Sequence, residues 1–202
     1  MKISAIVFDL GNVLIPFDYN IILNKLNNIK SGLGNRFALR YKSNYSVHRK
    51  FETWELSNDE FLNIMMEWTE NTLSKNEFCE LYSNIFVVNN DVASLLPKLK
   101  KNYKLVLLSN TNSIHQKYGW AKYDFLKNFD ELILSHKVGA VKPDAKIYKA
   151  VEQFTNLPSA EHLFIDDVEE YVNGAKSVGW NAVQFVDYKK LIADLRNYHI
   201  SF

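Results

Sequence analysis

The sequence predicts an α/β protein: a doubly wound parallel sheet covered by helices on both faces, with a block of helices inserted early in the chain. Three observations lead there. Apolar β-type runs alternate with helical spacing from about residue 88 to 202, the pattern of a parallel sheet. Three of those runs, at 3–8, 105–108 and 163–165, end in small polar or acidic residues: Asp9, Ser109-Asn110-Thr111 and Asp166-Asp167. Between the first two runs, from about Asp18 to Ile85, β-type runs vanish and helical periodicity replaces them.

Taken in order, the first strand is apolar up to Phe8 and meets Asp9 at once, a poor residue for packing and a good one for chemistry. In the inserted block, Phe61, Ile64, Met65 and Trp68 follow i, i+3, i+4, i+7, as do Phe78, Leu81, Tyr82 and Ile85. Ser57 with Glu60 three residues on reads as a capping box, and Ser31-Gly32-Leu33-Gly34-Asn35 as a turn between earlier helices. Trp68 is assigned to the core, and Cys79 is read as a small buried hydrophobe. A helix is expected over 91–101, kinked or shifted by Pro97, then a strand at 104–108. A short helix follows Asn112, and 132–134 reads as a strand. Lys142-Pro143-Asp144 opens a helix with proline in its first turn and Ile147, Val151 and Phe154 on one face. Strand 163–165, helix 169–178, strand 181–186 and a helix near 189–198 complete the series. Residues 1–15 and 88–202 thus form the predicted α/β core, and 16–87 the inserted helical domain.

Composition narrows the partners. The chain has 202 residues, 47% hydrophobic and 23% charged, and its 24 basic and 23 acidic side chains leave a net charge of +1. That balance is ordinary for a globular protein and lacks the basic footprint of a nucleic-acid binder. A single cysteine excludes an internal disulfide and a cysteine-based zinc cluster. No apolar run approaches the ~20 residues a membrane helix needs, and the first strand is interrupted too soon for a signal peptide. A cytoplasmic protein, a monomer or weak homodimer without nucleic-acid or membrane partners, is the expectation.

In an open parallel sheet, ligands bind beyond the carboxyl ends of the strands. The polar ends at Asp9, Ser109 and Asp166 therefore point at one site. Four stretches stand out: Phe8-Asp9-Leu10-Gly11-Asn12-Val13-Leu14, Leu108-Ser109-Asn110-Thr111, Val141-Lys142-Pro143-Asp144 and Phe164-Ile165-Asp166-Asp167. In order and spacing they resemble the four signature motifs of the haloacid dehalogenase-like hydrolase superfamily, across nearly the whole chain. The resemblance implies a Rossmann-like core, a small helical cap at 16–87, and a magnesium-dependent phosphatase acting on a small phosphorylated metabolite. Asp9-Leu10-Gly11-Asn12-Val13, Ser109-Asn110-Thr111-Asn112 followed by His115, the run from Lys142 to Tyr148, and Asn173-Gly174-Ala175 are similar to a bacterial α-glucose-1-phosphate phosphatase subgroup. A sugar phosphate such as a hexose 1-phosphate is the substrate this implies.

On that resemblance Asp9 is the nucleophile, forming an aspartyl-phosphate. Mg2+ is held by Asp9, Asp167, the backbone carbonyl of Gly11 and, in support, Asp166. Lys142 pairs with Asp9 and the phosphate, while the Ser109 hydroxyl and the Asn110 backbone donate to phosphoryl oxygens. The chain departs from the commonest family pattern at Gly11, where most members carry a second Asp as general acid. Such a donor is worth ~10²–10⁴ in rate, so the departure favours good leaving groups or a substitute donor, with His48 and His115 as candidates. Two rival readings remain: a metal-independent 2-haloacid dehalogenase, which the acids at 166 and 167 oppose, and a catalytically weak phosphate-ligand sensing or interaction module, which Gly11 favours. Each residue also has a structural reading. Asp9, Ser109 and one member of the acidic pair can cap helices, and Lys142 alone would be a solvated lysine. His115, His136, His162 and His199 are read as structural, Trp54 as packing or pocket wall, and Asn173 as fixing the loop-to-helix geometry after Asp167.

Overall fold

The computed structural model describes residues 2–202. Five strands form one sheet in the order β3-β2-β1-β4-β5, every neighbouring pair parallel. They are β1 (Ala5–Phe8), β2 (Lys104–Ser109), β3 (Glu131–Leu134), β4 (His162–Asp166) and β5 (Asn181–Gln184). The last is two residues shorter than the expected 181–186. Each central strand is buried on both faces, so its side chains feed two cores alternately. Ile6, Phe8, Leu105, Leu107, Leu163 and Ile165 join one cluster; Val7, Val106, Leu108 and Phe164 join the other.

The chain leaves β1 for β2 and β3 on one side, then returns to the other side for β4 and β5. The strand order therefore reverses at β1, where a doubly wound sheet opens a crevice for ligand. Asp9 sits at that point: its N–H donates to the Ile165 carbonyl at 2.9 Å, and the β1–β4 register sets it opposite Asp166.

Five helices make up the inserted block: α1 (Asn20–Ile29), α2 (Leu33–Ser43), α3 (Tyr45–Glu52), α4 (Asn58–Trp68) and α5 (Lys75–Ser83). Ser57 and Glu60 form the expected capping box, and Ser74 with Glu77 forms another. The predicted turn is present, with Gly32 in the left-handed region at φ 72° immediately before α2. A separate apolar core holds these helices, including Phe51, Phe61, Met65, Phe78, Cys79 and Tyr82. Trp68 is a correction: it lies half-buried at the margin of that core rather than inside it. The two connections to the sheet run antiparallel, with Asp18 N–H donating to the Ile85 carbonyl at 3.1 Å and Val87 N–H to Pro16 at 2.9 Å.

The helix expected over 91–101 is two short helices, α6 (Asn90–Ala93) and α7 (Leu96–Leu99), with Pro97 in the first turn of the second. Proline tolerates that place because the N–H it lacks would have no helical acceptor there. After Asn112 the short helix is a π-type turn, His115–Trp120. Helices α8 (Ser135–Val138), α9 (Ala145–Thr155), α10 (Glu169–Ser177) and α11 (Tyr188–Asn197) follow. Two expectations for α9 change. Pro143 lies just ahead of the helix rather than in its first turn, and Asp144 caps it through a bond from Lys146 N–H at 2.8 Å. Phe154 is 38% exposed, while Tyr148 and Thr155 fill the buried face with Ile147 and Val151.

Candidate active site

The three polar strand ends converge on one cavity of about 230 Å³, which also admits side chains from the inserted helices. That volume is below the ~300–1,000 Å³ common for drug-sized ligands, so the site suits a small molecule. Its floor belongs to the sheet. Asp9 follows β1, Ser109 ends β2, Asp166 ends β4, and Lys142 enters from the loop before α9.

Lys142 is 1% exposed, and its ammonium bridges Asp9 Oδ1 at 2.6 Å and Asp166 Oδ2 at 2.5 Å. It is no solvated surface lysine. Burial alone would lower its pKa, but the charges of Asp166 and Asp9 outweigh that and push it above the usual lysine value, so it stays charged. Burial pushes the Asp9 carboxyl up to about 7 against the pull of Lys142, with the Asp166 and Asp167 charges adding to the rise. Asp167 is also raised, chiefly by burial, although the Asn12 amide donates to its Oδ2 at 3.0 Å. The floor thus has a surplus of negative charge.

Asp9, Asp166 and Asp167 each offer a carboxylate oxygen within 4.8 Å of the other two, the one such cluster among the described residues. Hard oxygen donors in that arrangement fit a magnesium ion, which takes one or two carboxylates plus ligand oxygens. Asp166 is committed on both oxygens, one to Lys142 and the other to Val168 N–H at 2.8 Å. The second bond closes a turn ahead of α10, whose first residues receive no side-chain cap, so Asp166 does not take the capping role that the sequence left open. Asp167 has more freedom to meet a cation, Asp9 Oδ1 keeps a lone pair beside Lys142, and Asp9 Oδ2 carries no hydrogen bond among the described residues. The Gly11 carbonyl accepts Val13 N–H at 2.6 Å and keeps a second lone pair. A Cβ at Gly11 would lie 3.1 Å from Phe17 Cε1, so the phenyl ring takes the space a longer residue would need.

Ser109 is 3% exposed and lines the cavity beside Asn110 and Thr111. The Asn110 side chain has a further function that spacing could not show. Its Oδ1 accepts Lys142 N–H at 2.7 Å and its Nδ2 donates to the Lys142 carbonyl at 3.2 Å, clamping that residue's backbone from both sides. Ser135, also missed, pins Thr111: it accepts Thr111 N–H at 2.9 Å and donates to the Thr111 carbonyl at 2.8 Å. Asn173 is a correction, being exposed within α10. Its neighbour Gly174 holds the geometry instead. A Cβ there would meet Pro143 Cβ at 2.7 Å and Tyr148 Oη at 2.8 Å.

The roof comes from α3 and its surroundings. Glu52, 5% exposed, accepts from His48 Nε2 at 3.1 Å and from Arg49 Nη1 at 3.0 Å. Burial would raise its pKa, but His48 and Arg49 reverse that and lower it. His48 Nδ1 faces the Tyr41 hydroxyl at 2.5 Å, so both ring nitrogens are engaged. Arg49 Nη2 reaches down to the Tyr171 hydroxyl at 3.2 Å, joining roof to floor. Burial pushes the His115 imidazole down to about 3, so it carries no proton to donate as a cation near neutral pH. Neither candidate histidine offers a free charged acid. His136 and His162 are structural: His136 lies against the Thr111 carbonyl and Gln116, and His162 bonds Thr155 while stacking on Trp180. His199 is exposed just beyond α11, and Trp54, 52% exposed, lies outside the cavity.

Residues 3–179 match the family model for haloacid dehalogenase-like hydrolases. The chain belongs to that family. Among haloacid dehalogenase-like relatives, a D-ribitol-5-phosphate phosphatase of Bacteroides thetaiotaomicron is 26% identical over 191 residues, 90% of this chain and 91% of the relative. A phosphatase of Mycobacterium tuberculosis is likewise 26% identical over 191 residues, 90% of this chain and 87% of its own. A solved family enzyme of Bacteroides thetaiotaomicron, wild-type and in complex with magnesium and inorganic phosphate, superposes with a TM-score of 0.81 at 26% identity, covering 94% of this chain and 99% of that one. No helix among the described residues is long and apolar enough to cross a membrane.

Proposed function

We propose that this haloacid dehalogenase-like hydrolase is a magnesium-dependent phosphomonoesterase that works through an aspartyl-phosphate on Asp9. The observation that carries the reading is the buried Lys142 ammonium between Asp9 and Asp166, with Asp167 beside them. The family match and the phosphatase relatives support it.

The chemistry follows from the floor. Asp9 Oδ1 is held by Lys142, which leaves Oδ2 to attack phosphorus. The bond from phosphorus to the leaving oxygen breaks, that oxygen takes its proton from water, and a second water then hydrolyses the acyl phosphate, releasing phosphate and restoring the Asp9 carboxyl. Lys142, the Ser109 hydroxyl and the Asn110 backbone N–H are the proposed donors to the phosphoryl oxygens. Asp9, Asp167, the Gly11 carbonyl and, in support, Asp166 would hold magnesium, which when bound neutralises phosphate charge and screens the nucleophile from it. Deep burial of Lys142 and clamping by Asn110 keep these donors in place without reorganisation during the reaction.

Residues 16–87 act in this reading as the cap that closes over substrate. Gly11 supplies no proton to the leaving group, and the Phe17 ring crowds that position. Small sugar or polyol phosphates, hexose 1-phosphates first among them because their anomeric oxygen leaves easily, are the proposed substrates. The dehalogenase alternative gains nothing from the site, since three carboxylates would oppose a departing halide. Phosphate release across a metabolite panel, with and without chelator, tests the proposal. Turnover that needs Mg2+ and disappears in Asp9→Asn is expected; turnover indifferent to chelation would refute it.

A further inference from the structure

The inserted helices are fastened to the sheet domain unequally on the two sides of the catalytic cavity. On the β2 side the fastening is deep. Ile114, 3% exposed, is buried within the helices' own apolar core, together with Phe61 and Phe78. Its carbonyl accepts the Ser83 hydroxyl at 3.3 Å, Ser113 donates to Asn58, and the Tyr118 hydroxyl donates to Asn76 at 3.4 Å. Gly119 permits the approach: a Cβ there would lie 2.9 Å from the Phe86 ring and 3.1 Å from the Ser83 carbonyl. On the β4 side there is a single tie. Among the described residues, Arg49 Nη2 to the Tyr171 hydroxyl, at 3.2 Å, is the one hydrogen bond or ion pair between 20–83 and everything from β4 onward. A lid fixed along one edge and tied at one point on the other swings about the fixed edge.

Both ends of the tie are held in place. On the lid, Glu52 takes Arg49 Nη1 at 3.0 Å, and the Tyr45 ring lies 5.3 Å from the guanidinium carbon. On the floor, the Tyr171 carbonyl accepts the hydroxyl of fully buried Tyr148 at 2.8 Å. The Tyr171 ring lies 5.0 Å from the Lys142 ammonium and the Phe164 ring 5.4 Å from it. Both are within reach of a cation–π attraction. Tyr171 therefore meets the lid through its hydroxyl and Lys142 through its ring. Arg49 and Tyr171 both line the cavity and both are half-buried, so their bond closes its rim.

We propose that the Arg49–Tyr171 bond is the latch of the cap, and that Tyr171 is a positioning residue coupling closure over substrate to the placement of Lys142. This rests on the phosphomonoesterase reading of the floor. The hydroxyl governs how long substrate is retained, and the ring governs how firmly Lys142 is held for phosphoryl transfer.

Steady-state kinetics of the Mg2+-loaded enzyme on p-nitrophenyl phosphate read both parts. Tyr171→Phe keeps the ring and removes the hydroxyl, and should act mainly on KM, raising it about fivefold. Tyr171→Leu removes the ring as well and should lower kcat roughly tenfold below that of Tyr171→Phe. Arg49→Met also takes a partner from Glu52, so a double-mutant cycle isolates the pair. In the Tyr171→Phe background, Arg49→Met should raise KM by a smaller factor than it does in wild type. Independent effects on KM overturn the latch, and equal kcat in Tyr171→Phe and Tyr171→Leu overturns the coupling to Lys142. Hydrogen exchange without substrate reads the latch apart from catalysis. In Tyr171→Phe the α3 amides should exchange about threefold faster or more, while those of 113–120 keep the wild-type rate. An unchanged α3, or an equal rise in both segments, overturns the latch. If no Asp9-dependent turnover is found but exchange responds as stated, the phosphatase reading falls and the latch stands.

Discussion

Floor and roof of the cavity are built by different means. The floor is assembled by sheet register: β1 and β4 pair in parallel, so Asp9 and Asp166 come to lie side by side, and Lys142 locks between them. Its polar groups are almost wholly buried and interlocked. The roof is a two-turn helix, α3, whose Arg49 side chain is 36% exposed and meets the floor at the Tyr171 hydroxyl. The floor is thus locked by buried ion pairs, whereas the roof meets it through one partly exposed side chain.

That contrast sets the scale of what substitutions should do. Asp9→Asn should have the largest effect, lowering phosphate release roughly 10⁴-fold or more while circular dichroism shows an intact fold. Retained activity would remove the floor from the chemistry altogether. Lys142→Met comes next. It strips a buried cation from two carboxylates and should cost about 3–5 kcal/mol of stability, read by denaturant unfolding, with kcat down ~10²–10³. Gly174→Ala drives a methyl into Pro143 and Tyr148 and should cost about 1–3 kcal/mol; unchanged stability would mean that this approach of α10 to the lysine loop can relax.

The pH response separates floor from roof in another way. The Asp9 carboxyl is raised from 3.8 in a free chain to about 7 when folded without metal. The unfolded chain therefore gives up this proton first, and the metal-free protein loses stability as pH rises between those values. A cation beside Asp9 favours the ionised form and offsets the loss. Added Mg2+ should raise the melting temperature more at about pH 7.5 than at about pH 5.5. Equal rises would mean that Asp9 is already ionised without metal. The smallest effect belongs to the roof. Tyr171→Phe removes the hydroxyl that Arg49 holds and should cost only ~0.5–1.5 kcal/mol.

Much of the floor was legible in the residues. Strand ends announce themselves where an apolar run stops at Asp9, Ser109 or Asp166, and the parallel αβ alternation says that such ends share one edge. The Ser57 capping box and the Pro97 break were readable for the same reason: each is a local rule acting within one turn of helix. Phe154 and Trp68 were misjudged because periodicity gives the direction of a side chain but not how far the neighbouring layer extends over it.

What the chain alone determined, then, is the order of strands and helices and the chemical character of the strand ends, since both follow from interactions a few residues apart. The rest was decided by tertiary packing. Asn110 clamps a lysine 32 positions away, Arg49 reaches a tyrosine 122 positions away, and Gly174 makes room for Pro143. Such meetings have no periodicity or motif to announce them, because they depend on how whole layers settle against one another.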